Sequence, residues 1–319
     1  MLAGVKQALR AKAKLALCAG AVNGRRVRAR IDRLHKAGLT PILNLHRVAP
    51  DDRSSYRPLS PDLFDELLSF VKREFAVVTI AELADKTSKP KLVLSFDDGY
   101  RDFALYAAPI LRRHGLRANQ NIIPRCVETG LPPLNVIAQD FVGKAPPELV
   151  ARMPLDGFGA PRDHLFGRRL SQYIKRRSQA EQDAMADRLL PYFFEWDGFV
   201  PTAMMNREEV CSVCDHEIGA HSYAHSSMEF ESDEFLDEDV RRCRDYFRDN
   251  LGLPMAIYAF PNGSCREGQA ERVLEQGVDH VLLVGESFDR GGRINNRFTF
   301  DASSTFEARF KALGGFAAV

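Results

Sequence analysis

The sequence predicts an α/β fold built on a parallel sheet or barrel. Short apolar segments alternate with stretches of helical spacing, as expected for repeated strand–helix units. The apolar run at 92–96 has little polar alternation, which is typical of a strand buried on both faces. Asp97 and Asp98 follow it directly, at the carboxyl end where α/β folds place their chemistry. Repulsion between adjacent carboxylates raises the pKa of one of them, unless a nearby cation keeps both ionised. This pair therefore indicates a metal site.

The strands are predicted where apolar runs end in glycine, proline or polar residues. They cover residues 42–46, 77–80, 92–96, 118–123, 217–221, 256–260 and 278–284. Ser60 and Pro61 have the residue types of a helix N-cap and a first helical position. Gly252 and Pro254 are typical of a helix end. Helices are therefore predicted at about 61–73, 103–114 and 231–250.

Residues from about 140 to 205 interrupt this alternation. Loop signals at Pro146 and Pro147 precede a charged helical pattern that includes Tyr173 and Met185. A core formed by this segment alone would be small. The prediction is a mainly helical insertion over the barrel face, within one domain that spans residues 37–319. Insertions of this kind are where binding specificity tends to be built.

The positive charge of the chain is concentrated at its beginning. The formal net charge is +1, but residues 1–36 contain ten lysines and arginines against Asp32 alone. Apolar residues recur there at roughly helical spacing: Leu2, Val5, Leu9, Leu15 and Ala16. This basic amphipathic segment is expected either to pack on the domain or to contact an anionic membrane surface.

The remaining composition bounds the partners and the compartment. After residue 36 the chain has 34 basic and 42 acidic residues, which is opposite to what contacts with nucleic-acid phosphates require. Six cysteines in 319 residues do not form a disulfide framework, and a lone pair, Cys211 and Cys214, fits one short helix better than a zinc site. We expect reduced thiols and a cytoplasmic location, peripheral to the inner membrane if the basic segment contacts lipid.

A second cluster of polar residues follows another predicted strand. His221 and His225 lie four residues apart after the apolar segment that ends in Gly219. Two histidines at this spacing can converge on one cation from a helical turn or a tight loop. Together with one of the two aspartates they form a two-histidine, one-carboxylate set with open positions, which suits metal-activated hydrolysis.

These two motifs resemble those of a known family. The sequences SFDDGY at 95–100 and HSYAH at 221–225 are similar to the first two motifs of polysaccharide deacetylases of the NodB-homology, carbohydrate esterase family 4 type. AFPNG at 259–263 lies where the third motif of the family places a Pro-x-Gly loop. The resemblance extends from about residue 43 to 297. It implies a distorted (β/α)7-type barrel with the helical insertion described above.

The resemblance also implies a reaction and the residues that perform it. The chain would be a metal-dependent hydrolase that removes acetyl groups, above all N-acetyl groups, from a sugar in a polysaccharide, glycolipid or cell-envelope glycan. Asp98, His221 and His225 would bind a divalent metal, usually zinc. Asp97 would be the general base. Pro261, Asn262 and Gly263 would contact the substrate or its oxyanion, and Arg297 is placed with them.

The sequence also departs from the family pattern. Many relatives have an arginine four residues before the glycine of motif three, where it orients the base, and this chain has Ala259 there. Relatives also have a late histidine that acts as general acid. His280 precedes an apolar run and fits a strand position better, and no histidine follows it. His46, at the end of the first predicted strand, is the candidate for the acid, with a structural role as the alternative.

Two other functions fit parts of this pattern. Because family motif residues are missing, one alternative is a degenerate family member that binds a glycan without hydrolysing it. A non-haem iron oxygenase would also use two histidines and one carboxylate. That class has no use for Asp97, and its usual β-sandwich does not show alternating strands and helices.

Overall fold

A computed structural model describes residue 20 and the ranges 22–155 and 157–319. The apolar positions Leu2 to Ala16 of the predicted amphipathic segment lie outside the described residues. The remainder of that segment forms helix α1, Gly24–Ala37. The side chain of Asn23 accepts a hydrogen bond from the backbone of Arg26 at its start, and Gly38 ends it in the left-handed conformation.

The strands close into a parallel barrel. They are β1 Ile42–Leu45, β2 Ala76–Val78, β3 Lys91–Phe96, β4 Asn119–Ile122, β5 Glu217–Ala220, β6 Ile257–Ala259, β7 His280–Val284 and β8 Ile294–Thr299. Their order is β1-β8-β7-β6-β5-β4-β3, and β3 pairs again with β1, with Asn44 opposite Ser95. The predicted α/β barrel is confirmed as a closed ring of seven parallel strands.

Two strands differ from the sequence prediction. The predicted strand at 77–80 is β2, which lies outside the ring and pairs with the first half of β3, Ala76 opposite Lys91. The ring is completed by β8, which was not predicted. Its inward positions are Asn295 and Arg297, so it lacks the apolar run that marks the other strands.

Helices surround the ring. They are α2 Pro61–Glu74, α3 Ala108–His114, α4 Pro124–Thr129, α5 Leu134–Lys144, α6 Pro147–Ala151, α7 Phe166–Lys175, α8 Gln179–Phe194, α9 Arg207–Ser212, α10 Asp233–Tyr246, α11 Gln269–Glu275 and α12 Thr305–Ala312. The Ser60 hydroxyl accepts a hydrogen bond from the backbone of Leu63 and caps α2, as its sequence predicts. None of the helices in the described ranges has the length and apolarity that crossing a bilayer requires.

Helices α4 to α8 lie between β4 and β5. The last four of these form an apolar cluster of their own, in which the rings of Phe141 and Phe193 stack with centroids 4.4 Å apart. The segment returns to the barrel beside the loop after β3, where the backbone of Met205 donates to the carbonyl of Gly99. The Ser55 hydroxyl, in the loop after β1, donates to the carbonyl of Gln139. The insertion is therefore attached to the loops at the carboxyl ends of the strands.

The interior of the barrel changes from apolar to polar along its axis. Inward positions near the amino ends of the strands are apolar, as Ile42, Val93 and Ile257 are. Two residues further along β1 and β3 the same face carries Asn44 and Ser95, and Asn121 of β4 and Arg297 of β8 are also polar and buried. Since side chains alternate between the faces of a strand, the next inward position after Ser95 is Asp97. The strand register thus directs this carboxylate into the polar end of the barrel.

Candidate active site

Asp97 is held by three side chains from three other strands. The Arg297 guanidinium donates to both of its carboxylate oxygens, over 2.7 and 2.8 Å. Asn44 donates to Oδ2 over 2.7 Å, and Asn121 donates to Oδ1 over 2.8 Å. Burial would raise the pKa of Asp97, but the positive charge of Arg297 outweighs it and holds the pKa well below its usual range. Asp97 is therefore an ionised, fixed carboxylate.

A glycine makes room for this network. A Cβ atom on Gly219 of β5 would overlap the Oδ1 atom of Asn121, the residue that donates to Asp97. Asn121 and Gly219 are paired across β4 and β5. The absence of a side chain at Gly219, just before the His221 motif, therefore leaves the space that Asn121 needs to contact Asp97.

Asp98 turns away from Asp97 through an unusual backbone conformation. Its φ is 76°, and Gly99 follows with φ of 80°. A left-handed conformation at a non-glycine residue costs free energy and is found most often at functional sites. Asp98 Oδ2 accepts a hydrogen bond of 2.7 Å from the hydroxyl of Tyr100. Its other oxygen, Oδ1, is buried without a hydrogen-bond partner.

The two histidines of the second motif face that free oxygen. His221 Nε2 is 3.3 Å and His225 Nε2 is 3.5 Å from Asp98 Oδ1. His221 donates from Nδ1 to the carbonyl of Ala259 over 2.9 Å, which directs Nε2 toward Asp98. Burial alone would lower the pKa of His221, but the charges of Asp97 and Asp98 outweigh it and raise that pKa. Burial lowers the pKa of His225 to about 3, so its imidazole is neutral.

This donor set fits a divalent metal. One ligand atom from each of Asp98, His221 and His225 lies within 4.8 Å of the others, and all three residues are buried. The unpartnered carboxylate oxygen between two imidazole nitrogens is what a cation would satisfy. Two histidines and one carboxylate, with positions left for water and substrate, match the ligands of catalytic zinc.

A buried carboxylate supports the loop that carries both histidines. Asp239 of α10 accepts hydrogen bonds from the Ser222 hydroxyl at 2.9 Å and from the Tyr223 backbone at 3.0 Å. Its second oxygen accepts from the Tyr258 hydroxyl at 2.7 Å. Ser222 and His225 both have positive φ, at 59° and 65°. Asp239 thus fixes the strained turn that orients the histidines.

The third motif lies beside this turn. Pro261, Asn262 and Gly263 form a short 3-10 turn after β6, in which Asn262 has a left-handed φ of 61°. The Asn262 amide donates to the hydroxyl of Ser227 over 2.9 Å. Asn262 is exposed, as a group that contacts substrate must be.

His46 lies at the same mouth. It follows β1, is half-buried, and its ring meets Tyr56 edge-on with centroids 6.1 Å apart. Burial lowers its pKa, although Asp98 and Asp97 act in the opposite direction. His46 is therefore a neutral imidazole near both carboxylates.

The comparisons with known proteins agree with this geometry. Residues 204–281 match the family model described as polysaccharide deacetylase, a range that includes both histidines and the third motif. Comparison with curated protein sequences gives no match.

Three solved structures share the fold of this chain. The Streptococcus pyogenes deacetylase PplD, in complex with acetate, is 16% identical with a TM-score of 0.56, covering 86% of this chain and 98% of its own. IcaB from Ammonifex degensii is 16% identical with a TM-score of 0.57, covering 86% and 97%. A de-N-acetylase from Aggregatibacter actinomycetemcomitans is 16% identical with a TM-score of 0.54, covering 85% and 99%. At this level of identity the three structures show that the chain shares their fold.

The structure corrects two expectations about arginine. Arg297, which the sequence placed with the substrate and oxyanion residues, is fully buried and contacts Asp97, so it does not reach the substrate. The sequence predicts no arginine beside Asp97, because Ala259 occupies the expected position, but Arg297 of β8 donates to both carboxylate oxygens of Asp97. The positive charge beside Asp97 therefore comes from β8.

Sequence reasoning missed three residues of the site. Asn44 and Asn121 hold Asp97. The alternation of side chains along a strand could have indicated them, because each lies two residues from another inward-facing position. Lys175, on helix α7 of the insertion, also faces the site: its charge lowers the pKa of His225 and of His46. No sequence pattern relates this lysine to the two motifs.

Proposed function

We propose that this protein is a metal-dependent hydrolase that removes acetyl groups, above all N-acetyl groups, from a sugar of a polysaccharide, glycolipid or cell-envelope glycan. The observation that carries the proposal is the division of labour between neighbouring carboxylates. Asp97 is saturated by hydrogen bonds and held ionised, whereas Asp98 presents an unpartnered oxygen to two imidazole nitrogens. One aspartate is arranged for a proton and the other for a cation.

The protein groups have distinct tasks in this reaction. Asp98, His221 and His225 would hold the ion, and Asp97 accepts a proton from the attacking water. The contacts that keep Asp97 ionised also make it a weak base. When bound, a divalent metal would polarise the acetyl carbonyl and lower the pKa of that water, which a weak base requires.

Asp97 is held in a fixed position for this transfer. Its contacts come from β1, β4 and β8, so rotation of the carboxylate would break several hydrogen bonds at once. Positioning of the base by rigid strands lowers the entropic part of the barrier. The third-motif turn is tied to the end of the histidine loop by the hydrogen bond from Asn262 to Ser227, and Asn262 is exposed.

Acetate release tests the proposal. The protein is incubated with a panel of N- and O-acetylated oligosaccharides, with added zinc and with a chelator. We expect zinc-dependent acetate release that Asp98→Ala and His221→Ala abolish together with zinc binding. Asp97→Asn should keep the zinc and lose turnover, by roughly 10²-fold or more. Retained turnover in Asp97→Asn would refute the assignment of the base.

Glycan binding and oxygen consumption, measured beside acetate release, separate the two other functions. Binding of an oligosaccharide without acetate release under any metal would favour a non-catalytic glycan-binding protein. Oxygen consumption that depends on iron, without acetate release, would favour an oxygenase. The buried, hydrogen-bonded Asp97 favours hydrolysis over both, because neither alternative needs a fixed ionised carboxylate beside the metal ligands.

We also propose that the basic N-terminal segment contacts an anionic membrane from the cytoplasmic side. Helix α1 packs on the domain through Val27 and Leu34, and its other faces expose the cations Arg25, Arg26, Arg28, Arg33 and Lys36. Sedimentation with vesicles of phosphatidylglycerol, compared with phosphatidylcholine, tests this. Equal sedimentation with both, or none with either, would contradict it.

A further inference from the structure

Helix α7 bridges the two loops that flank the mouth of the site. Near its start, Gly167 packs so closely on the loop after β1 that a Cβ atom would overlap the hydroxyl of Ser55. Just beyond its end, the side chain of Gln179 accepts a hydrogen bond of 2.8 Å from the Ser226 hydroxyl, next to His225. The ten residues of α7, about 15 Å long, therefore extend from the loop after β1 toward the loop that carries His225.

The last residue of this helix, Lys175, lies four residues before Gln179, which contacts the loop that carries His225. Lys175 is half-buried, and burial lowers its pKa. Its charge interacts with Asp97 and Asp98 and with the rings of His46 and His225. Within the part of the chain that the structure describes, its ammonium makes no hydrogen bond or ion pair. The three N–H groups of Lys175 are thus free for a ligand in the mouth.

Hydrolysis of an amide needs a proton donor that the two motifs do not contain. An amine leaves as a neutral group only if its nitrogen is protonated as the C–N bond breaks. His46 is neutral, and His280 is hydrogen-bonded to Asn295 in the barrel wall over 3.1 Å. Asp97 has the opposite task.

We propose that Lys175 is the general acid of the deacetylation and donates its proton to the leaving nitrogen of the acetylated sugar. This inference rests on the proposed function. The insertion would then be part of the catalytic machinery and would compensate for the late histidine that this chain lacks.

The proton balance of the reaction closes with this assignment. Water adds its oxygen to the acetyl carbon and gives a proton to Asp97. The bond between that carbon and the sugar nitrogen breaks, and the nitrogen takes a proton from the Nζ atom of Lys175. The products are acetate and the amino sugar. Loss of the proton from Asp97 to solvent and its uptake by Lys175 restore the starting state.

Two substrates with the same acyl group and different leaving groups test this role. Pentameric N-acetylglucosamine has an amine that must be protonated, whereas the nitrophenolate of p-nitrophenyl acetate leaves without a proton. We expect Lys175→Met to slow amide hydrolysis by about 10²-fold or more and to leave p-nitrophenyl acetate hydrolysis within about threefold of wild type. The zinc content of the variant, measured by metal analysis, should not change.

Charge and proton donation are separated by a second variant. Lys175→Arg keeps the positive charge, but a guanidinium with a pKa above about 12 does not give up its proton. It should therefore fail on the amide as Lys175→Met does. Arg176→Met, which removes the exposed neighbouring cation, should leave both activities unchanged.

Three results would overturn the proposal. Recovery of amide hydrolysis in Lys175→Arg would show that the charge alone acts, as in binding of an anionic substituent. An equal loss on both substrates would show a structural or metal-related effect. Full amide activity in Lys175→Met would show that another group is the acid. A wild-type protein inactive on both substrates and on the acetylated panel would instead refute the proposed function.

Discussion

Replacement of Arg297 by methionine tests whether this arginine, rather than a residue of the third motif, keeps Asp97 ionised. The side chain is fully buried and donates to both oxygens of Asp97. Methionine is of similar length and has no charge. The variant therefore leaves an ionised carboxylate in the barrel with the amides of Asn44 and Asn121 as hydrogen-bond partners and with His221 Nε2 3.8 Å away.

The expected loss of stability is large. Removal of one partner of a buried ion pair costs about 3–5 kcal/mol, because the remaining charge is uncompensated. A typical domain is stable by only about 5–15 kcal/mol. Asp97→Asn in the same background removes that charge, so the double variant should lose less stability than the sum of the single losses, by at least about 1 kcal/mol.

The effect has a predictable sign with pH. In the wild type Arg297 holds the pKa of Asp97 below its unfolded value of about 3.9, which contributes stability at every pH above that value. Without Arg297, burial raises the pKa of Asp97 in the folded state. The variant should therefore gain stability as pH falls through the raised pKa, and the gap to wild type should narrow between pH 7 and 4.

Urea denaturation at several pH values measures the difference in free energy of unfolding between Arg297→Met and the wild type. The control is Arg241→Met, which removes an exposed arginine that pairs with Glu238 and Asp245 and should have little effect. A loss in Arg297→Met no larger than that of the control would refute the reasoning. So would a gap that widens as pH falls.

The remaining predictions concern the metal, its loop and the insertion. Zinc should raise the melting temperature, by the equivalent of about 2.7 kcal/mol at a concentration of 100 times Kd, and His221→Ala should remove the shift. Asp239→Ala should weaken zinc binding by about 10–100-fold in a chelator competition, and unchanged affinity would contradict its role under the histidine loop. Gly167→Ala should lower both stability and turnover by displacing α7, whereas Gly159→Ala, with open space around it, should change neither; equal effects of the two would argue against the close packing.

Much of the site follows from local sequence. The run that ends at Phe96 has to be a buried strand, and the two aspartates after it have to lie at its carboxyl end. The glycine and histidines at 219–225 identify a second strand end by the same reasoning. Since neighbouring parallel strands end at the same edge, the approach of Asp98 to His221 and His225 was predictable without coordinates.

The strand β8 was not predictable in this way. Its segment, Ile294–Thr299, has three consecutive polar residues at its centre and resembles a surface loop. Those polar residues are buried only because the partners of Arg297 and Asn295 come from other strands and from the loop before β8. A buried polar position is recognisable only when its partners are known.

The sequence by itself determined the parallel α/β architecture and the two motif loops, because periodicity and adjacency along the chain carry that information. It implied separate roles for Asp97 and Asp98 only through its resemblance to a family. The tertiary structure alone decided which groups surround these carboxylates. Arg297 is 200 residues away from Asp97 along the chain, and Lys175 belongs to an insertion with its own core. Contacts of this kind depend on ring closure and on the docking of α7, which no local pattern encodes.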